Sequence, residues 1–118
     1  MTRAFSLVAL LAFILMGCAD TPVPPDDVLP RETFVEVLTD VQIIEAVFNQ
    51  NVIRSDDPKL RIARYYAETF EKHGVSETDF TRTYTWYYAH PELMMAVYDD
   101  VMARLAQRQG ELMQQKTP

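Results

Sequence analysis

A carboxylate inside an apolar stripe is the first residue of this sequence that could do chemistry. Glu45 follows Phe34 by eleven positions, so on a helix of about 100° per residue the two side chains point within about 20° of each other. A carboxylate on an apolar face is costly unless it is hydrogen-bonded or paired. It is either a core acid that accepts hydrogen bonds from the phase-compatible hydroxyls of Tyr66, Tyr84 and Tyr88, or a ligand-binding or catalytic acid in an aromatic pocket.

The aromatic run at residues 84–88, Tyr-Thr-Trp-Tyr-Tyr, is the second such feature. On a helix its three tyrosines share the face of Phe80 and are predicted to be core. Trp86 falls near Asp79 and Arg82 on the polar side. Trp86 is therefore a candidate contact for a partner, and the alternative is that it packs against a neighbouring helix or the preceding tether.

The remaining polar residues predict no catalytic constellation, no metal site and no cofactor. His73 and His90 fall at a helix end and before a proline, without the spacing of a zinc helix. Ser55 and Ser76 stand at helix-cap positions and lack the surroundings of a nucleophile elbow. The chain has 3 glycines, and they are too scattered to form a phosphate-cradling loop.

Cys18, the single cysteine, has the most specific surroundings. A basic start and the mostly apolar run 4–16 have the organisation of a secretory signal peptide, and the run is shorter than the roughly 20 residues that span a bilayer. Leu15-Met16-Gly17-Cys18 resembles the bacterial lipobox. We therefore predict a lipoprotein signal peptide at 1–17 and membrane attachment through lipid on Cys18. Ala19, where some bacteria use Asp for inner-membrane retention, favours an outer membrane lipoprotein by resemblance.

The chain after the predicted signal peptide divides into a tether and a helical domain. Residues 18–30 hold 4 of the 7 prolines and are predicted to be a flexible, extended spacer of roughly 35 to 40 Å. The 118-residue chain is 48% hydrophobic, which suits one small folded domain. Its formal net charge of −6 argues against nucleic acid as a partner.

From Arg31 onward, apolar residues recur every three or four positions and predict an all-α, small four-helix bundle over residues 31–115. The predicted helices cover 31 to about 53, 58–73, 77–88, and 91 to a frayed end beyond Gly110. Their boundaries rest on cap residues before Pro58, a left-handed terminator at Gly74, a cap at Ser76, and Pro91 as a first helical residue. The predicted inner faces are Phe34, Val37, Leu38, Val41, Ile44, Phe48 and Val52; Ile62, Ala63, Tyr66 and Phe70; Phe80, Tyr84, Tyr87 and Tyr88; and Met94, Val97, Tyr98, Val101, Met102 and Leu105.

Residues 31–109 resemble the bacterial lipoprotein family called domain of unknown function 4296, found in Bacteroidota and related bacteria. The similar segments are Leu-Thr-Asp-Val-Gln-Ile-Ile-Glu-Ala at 38–46, Tyr65-Tyr66 with Phe-Glu-Lys-His-Gly-Val at 70–75, Phe80, Tyr87-Tyr88, His90-Pro91-Glu92, and Tyr98, Val101 and Leu105 in the last helix. The resemblance implies a small helical lipoprotein of the cell envelope and carries no catalytic residue.

These observations favour a lipid-anchored cell-envelope protein that acts as a non-catalytic binding or assembly accessory module. Its expected partners are the membrane, through Cys18, and an envelope protein. One alternative is a small enzyme or ligand-binding protein that uses Glu45. Another is a purely structural envelope lipoprotein.

Overall fold

The protein is a bundle of four α-helices. The structure, a computed structural model, describes residues 20–50 and 57–117, and this part of the chain contains no strand. The helices are α1 (Arg31–Asn49), α2 (Pro58–His73), α3 (Glu77–Tyr88) and α4 (Pro91–Lys116). The predicted all-α fold is confirmed, and all four helices begin at the predicted residues.

Local signals explain these boundaries. The Asp57 side chain accepts a hydrogen bond from the Leu60 amide at 3.1 Å, and Ser76 Oγ accepts one from the Asp79 amide at 3.0 Å. Both bonds satisfy amides that have no partner inside the helix. Gly74 ends α2 with φ 64° and ψ 30°, a left-handed conformation that disfavours a β-carbon.

The predictions for the carboxyl-terminal ends of α1 and α4 have different outcomes. The described part of α1 ends at Asn49, and the predicted end near Ile53 lies outside the described residues. The predicted fraying beyond Gly110 is wrong, because α4 continues to Lys116. A glycine inside a helix costs only about 1 kcal/mol relative to alanine, and the residues that follow Gly110 are good helix formers.

The core lies on two sides of α1. On one side, Phe34, Val35 and Leu38 of α1 pack with Tyr87 of α3 and with Met94, Val97 and Val101 of α4. On the other side, Val37 and Val41 pack with Phe70 of α2, and Phe80 of α3 contacts both clusters. α1 is therefore the central helix that the other three helices surround.

Several core assignments differ from the predicted stripes. Ala63 of α2 was predicted to face inward but is exposed. Val35 is fully buried because α4 covers the flank of α1 next to Phe34. Met102 was predicted to be in the core but is 63% exposed. It lies about 140° around the helix from Val97, on the side of α4 that faces away from α1.

The end of the predicted tether packs onto the bundle. Val28 is buried, and the Leu29 amide donates a hydrogen bond of 2.8 Å to Thr83 Oγ1. Arg82 donates to the backbone oxygen of Asp27 at 3.0 Å. The packed domain therefore begins several residues before Arg31. No helix in residues 20–50 or 57–117 is long and apolar enough to cross a membrane.

Candidate functional site

The bond predicted for Glu45 is present. The Tyr66 hydroxyl on α2 donates a hydrogen bond of 3.0 Å to Glu45 Oε1 on α1. Glu45 is half-buried rather than buried, so its carboxylate lies in the wall of an open groove and not in the core. The position of Glu45 in the apolar stripe predicted the direction of its side chain. The short helix α3 leaves one side of the Glu45 side chain uncovered.

A second pair of phenols lies beside Glu45. Tyr84 of α3 and Tyr98 of α4 share a side-chain hydrogen bond, and both line the cavity that contains Glu45. Tyr84 was among the predicted neighbours of Glu45, whereas Tyr98 was assigned only to the core stripe of the last helix. The angular position of Tyr98 on α4 was compatible both with the core and with a place beside Glu45.

Tyr66 and Tyr98 are neutral donors at physiological pH. Burial, followed by the hydrogen bond to Glu45 and its negative charge, raises the pKa of Tyr66 to about 12. Burial, the hydrogen bond with Tyr84 and the charges of Tyr84 and Glu45 raise the pKa of Tyr98 to about 12. Because neither phenol loses its proton near neutral pH, both can donate hydrogen bonds but cannot act as a base there.

Three adjoining open cavities form one continuous groove. Their volumes are about 300, 480 and 550 Å³. The first two share Glu45 and Phe80, and the last two share Tyr84 and Tyr98. We call this surface the tyrosine groove, with Glu45, Tyr66, Phe80, Tyr84, Tyr88, Met95 and Tyr98 in its lining.

Tyr88 was predicted to bond with Glu45 and to lie in the core, and both predictions are wrong. It is 73% exposed and forms the wall of the third cavity with Met95. Tyr88 is the last residue of α3, and the chain turns directly into α4, so no helix covers its ring. Its ring stacks on Tyr84 with centroids 6.5 Å apart. Angular position on α3 alone could not reveal which side stays open.

Trp86 lies outside the lining of the tyrosine groove. Its ring meets Tyr87 edge-on at a centroid distance of 5.0 Å and stacks on the His90 ring at 4.1 Å. His90 Nδ1 lies 2.7 Å from the Trp86 carbonyl oxygen, and because a carbonyl only accepts, this nitrogen carries the proton. Trp86 is half-buried and packs against the core, and its role as a partner contact stays a prediction. Cys18, the predicted lipidation site, lies outside the described residues.

A cluster of charged residues on another face of α1 was not anticipated. Asp40, whose side chain is 12% exposed, accepts bonds from Lys72 Nζ at 3.1 Å, His73 Nε2 at 2.7 Å and Arg108 Nη1 at 2.5 Å. Arg104 binds Glu32, and it approaches Glu36 Oε1 at 3.5 Å. These seven residues are the Asp40 cluster. Acids and arginines four residues apart on α1 and α4 were the available sequence signal.

The Asp40 cluster connects three helices through hydrogen bonds and ion pairs. Burial alone would raise the pKa of Asp40, but hydrogen bonds from His73, Arg108 and Lys72 outweigh it and lower the pKa from 3.8 to about 2. The carboxylate thereby joins α1, α2 and α4. The described residues contain no group of three or more histidine, cysteine, aspartate or glutamate side chains arranged to hold a metal ion.

The fold and this site define a class: a small all-helical domain with one charge-clamped face and one open aromatic groove. The chain belongs to the family described as domain of unknown function (DUF4296), whose sequence model matches residues 25–111. The match begins before α1 and so includes Val28 and Leu29, which pack on the bundle. Comparisons with curated proteins and with solved structures gave no match.

Proposed function

We propose that the protein is a lipid-anchored binding or assembly accessory module of the cell envelope, held at the outer membrane through Cys18 and without catalytic activity of its own. Its tyrosine groove receives a segment of an envelope protein. The lipobox-like residues 15–18 support the anchor, and the groove supports the binding role.

The exposure of Tyr88 and Met95 is the observation that carries the binding role. The two side chains are 73% and 68% exposed and lie in the same wall of the groove. Large apolar side chains gathered at an open concave surface are typical of interaction sites. Tyrosine offers a rigid contact surface with a polar end, and methionine adapts to irregular partners.

The chemistry of Glu45 favours binding over catalysis. A neighbouring group with a pKa near the working pH would favour general acid–base catalysis at Glu45. The group bonded to Glu45 is the Tyr66 phenol, which keeps its proton at neutral pH because its pKa is about 12. This pair can fix the orientation of a ligand but is poorly suited to move protons.

Binding by the purified full-length chain to immobilised decapeptides tests this function. Each acetylated peptide carries two large apolar residues and one arginine at varied spacing. Met95→Ser should weaken the best binders by about fivefold or more, as expected of a central contact residue. Met102→Ser is the matched control, since Met102 is an exposed methionine of the same helix outside the groove lining. Equal effects of both substitutions, or no saturable binding, would contradict the proposal.

A further inference from the structure

The charges of the tyrosine groove all have one sign among the lining residues that the structure describes. Glu45 and Glu77 are the charged residues of the three cavities, and no lysine, arginine or histidine accompanies them there. Arg104 and Arg108 of α4 point elsewhere, because they bind the acids of the Asp40 cluster. The bundle thus separates its paired charges from an acidic groove.

Glu45 lacks a cation within this part of the chain. Within the described residues, 20–50 and 57–117, Glu45 Oε1 accepts a hydrogen bond from the Tyr66 hydroxyl. No ion pair in these residues involves the Glu45 carboxylate. A half-buried carboxylate with free acceptor positions is best satisfied by a charged donor. The overall charge of −6 also draws cations toward the protein.

The groups around Glu45 suit a cation with an apolar stem. Phe80, Tyr84 and Tyr98 line the same cavity as the carboxylate, and the faces of such rings attract ammonium and guanidinium groups. The ring walls also accommodate the methylene groups of lysine or arginine. Further along the groove, Tyr88 and Met95 offer an apolar contact.

We propose that the partner segment carries an arginine or lysine, whose charged head binds the Glu45 carboxylate among these rings, and an apolar side chain that packs on Tyr88 and Met95. This inference rests on the proposed binding function and specifies the chemistry of the partner. The cation supplies the charge that the groove lacks, and the apolar residue covers the exposed wall.

The test compares each binding decapeptide with the same peptide carrying citrulline, the neutral isostere of arginine. On the full-length wild-type chain, the arginine peptide should bind about tenfold more tightly, the size expected of a charge-assisted contact with a ring contribution. Glu45→Gln, whose amide oxygen can still accept from Tyr66, should abolish this preference. Glu68→Gln, which removes an exposed acid of α2 outside the groove, should keep it. A second measurement on wild type needs no variant: raising the salt concentration should reduce the preference.

Other results would overturn the inference. Equal binding of both peptides, both weakened by Met95→Ser, would leave the groove a binding site but remove the cation from its ligand. A preference that survives in Glu45→Gln would place cation recognition elsewhere. Arg54 is a basic residue nine positions after Glu45 and lies outside the described residues. A preference seen only in Arg54→Gln would assign Glu45 to this arginine of the same chain. Self-association lost in Tyr88→Ser would assign the groove to a second copy. Absence of any binding sensitive to Met95→Ser would contradict the proposed function itself.

Discussion

Asp40 and Glu45 stand five residues apart on α1 and have opposite surroundings. Asp40 accepts hydrogen bonds from the side chains of Lys72, His73 and Arg108 on two other helices. Among the described residues, Glu45 receives one side-chain hydrogen bond, from the neutral phenol of Tyr66. Five residues correspond to about 140° of rotation around a helix, so the two acids face different neighbours. We therefore expect Asp40 to act in stability, and we propose that Glu45 keeps acceptor positions for a ligand.

Asp40→Asn should destabilise the protein at pH 7 by on the order of 1 to 2 kcal/mol, because its pKa of about 2 lies below the ordinary 3.8 and about 1.4 kcal/mol corresponds to each unit before solvent screening. A lowered pKa contributes stability that is present above 3.8 and lost as pH falls through about 2. Urea unfolding of both proteins at neutral pH and near pH 2 measures the difference.

The control for Asp40 is Glu68→Gln, which removes an exposed pair with Arg64 on α2. Such surface pairs contribute about 0 to 1 kcal/mol, so this change should be small at every pH. An Asp40→Asn penalty that is the same at both pH values would show that the charge of Asp40 is not the source of its stabilisation.

At the scale of elements, the two glycines of the helical domain occupy opposite kinds of position. Gly74 ends α2 in a left-handed conformation, and Gly110 lies inside α4. Apart from the adjacent residues and the backbone of its own helix, a β-carbon added at either position would meet no atom within 4 Å. Any difference between their alanine variants therefore reports backbone conformation and not packing.

Gly74→Ala should destabilise by about 1 kcal/mol or more, because alanine is strained at positive φ. Gly110→Ala should stabilise by roughly 0.5 to 1 kcal/mol, because alanine is the better helix former. Urea midpoints of the two variants against wild type give the signs. A loss of stability in both would mean that α4 does not continue through Gly110.

The sequence was most informative where a structural signal is local. Asp57, Ser76 and Pro91 each mark a helix start through groups within a few residues. Ser76 and Pro91 were predicted, and Asp57 was one of three cap candidates before Pro58. Tyr88 was misplaced because its exposure depends on what α4 leaves uncovered. The Asp40 cluster needs three helices to meet, and that geometry is not encoded in any one segment.

At the scale of the whole molecule, the end of the predicted tether packs against the helical bundle. The Leu29–Thr83 bond and the Arg82–Asp27 bond fix the end of the tether on α3. Asp20, Thr21 and Pro22 line a surface cavity with His90 and Leu93 at the turn between α3 and α4. A lipid on Cys18 would begin two residues before this contact, which would keep that turn near the bilayer.

Cys18→Ser should abolish signal-peptide processing and acylation, because serine lacks the thiol that accepts diacylglycerol. The variant should retain the mass of the unprocessed chain and carry no lipid, as measured by intact-mass spectrometry of membrane and soluble fractions. Maturation to the wild-type mass would refute the anchor.

The most direct test of the central claim is photo-cross-linking in the native envelope. A photoreactive residue at position 88, in the groove wall, should capture one envelope protein, and mass spectrometry should locate the cross-link beside a basic and an apolar residue of that protein. The same probe at Leu112, which is exposed on the last turns of α4, is the control. Capture from position 88 that disappears with Met95→Ser, and is absent from position 112, is the result we predict. Capture of the same protein from both positions, unaffected by Met95→Ser, would contradict the account.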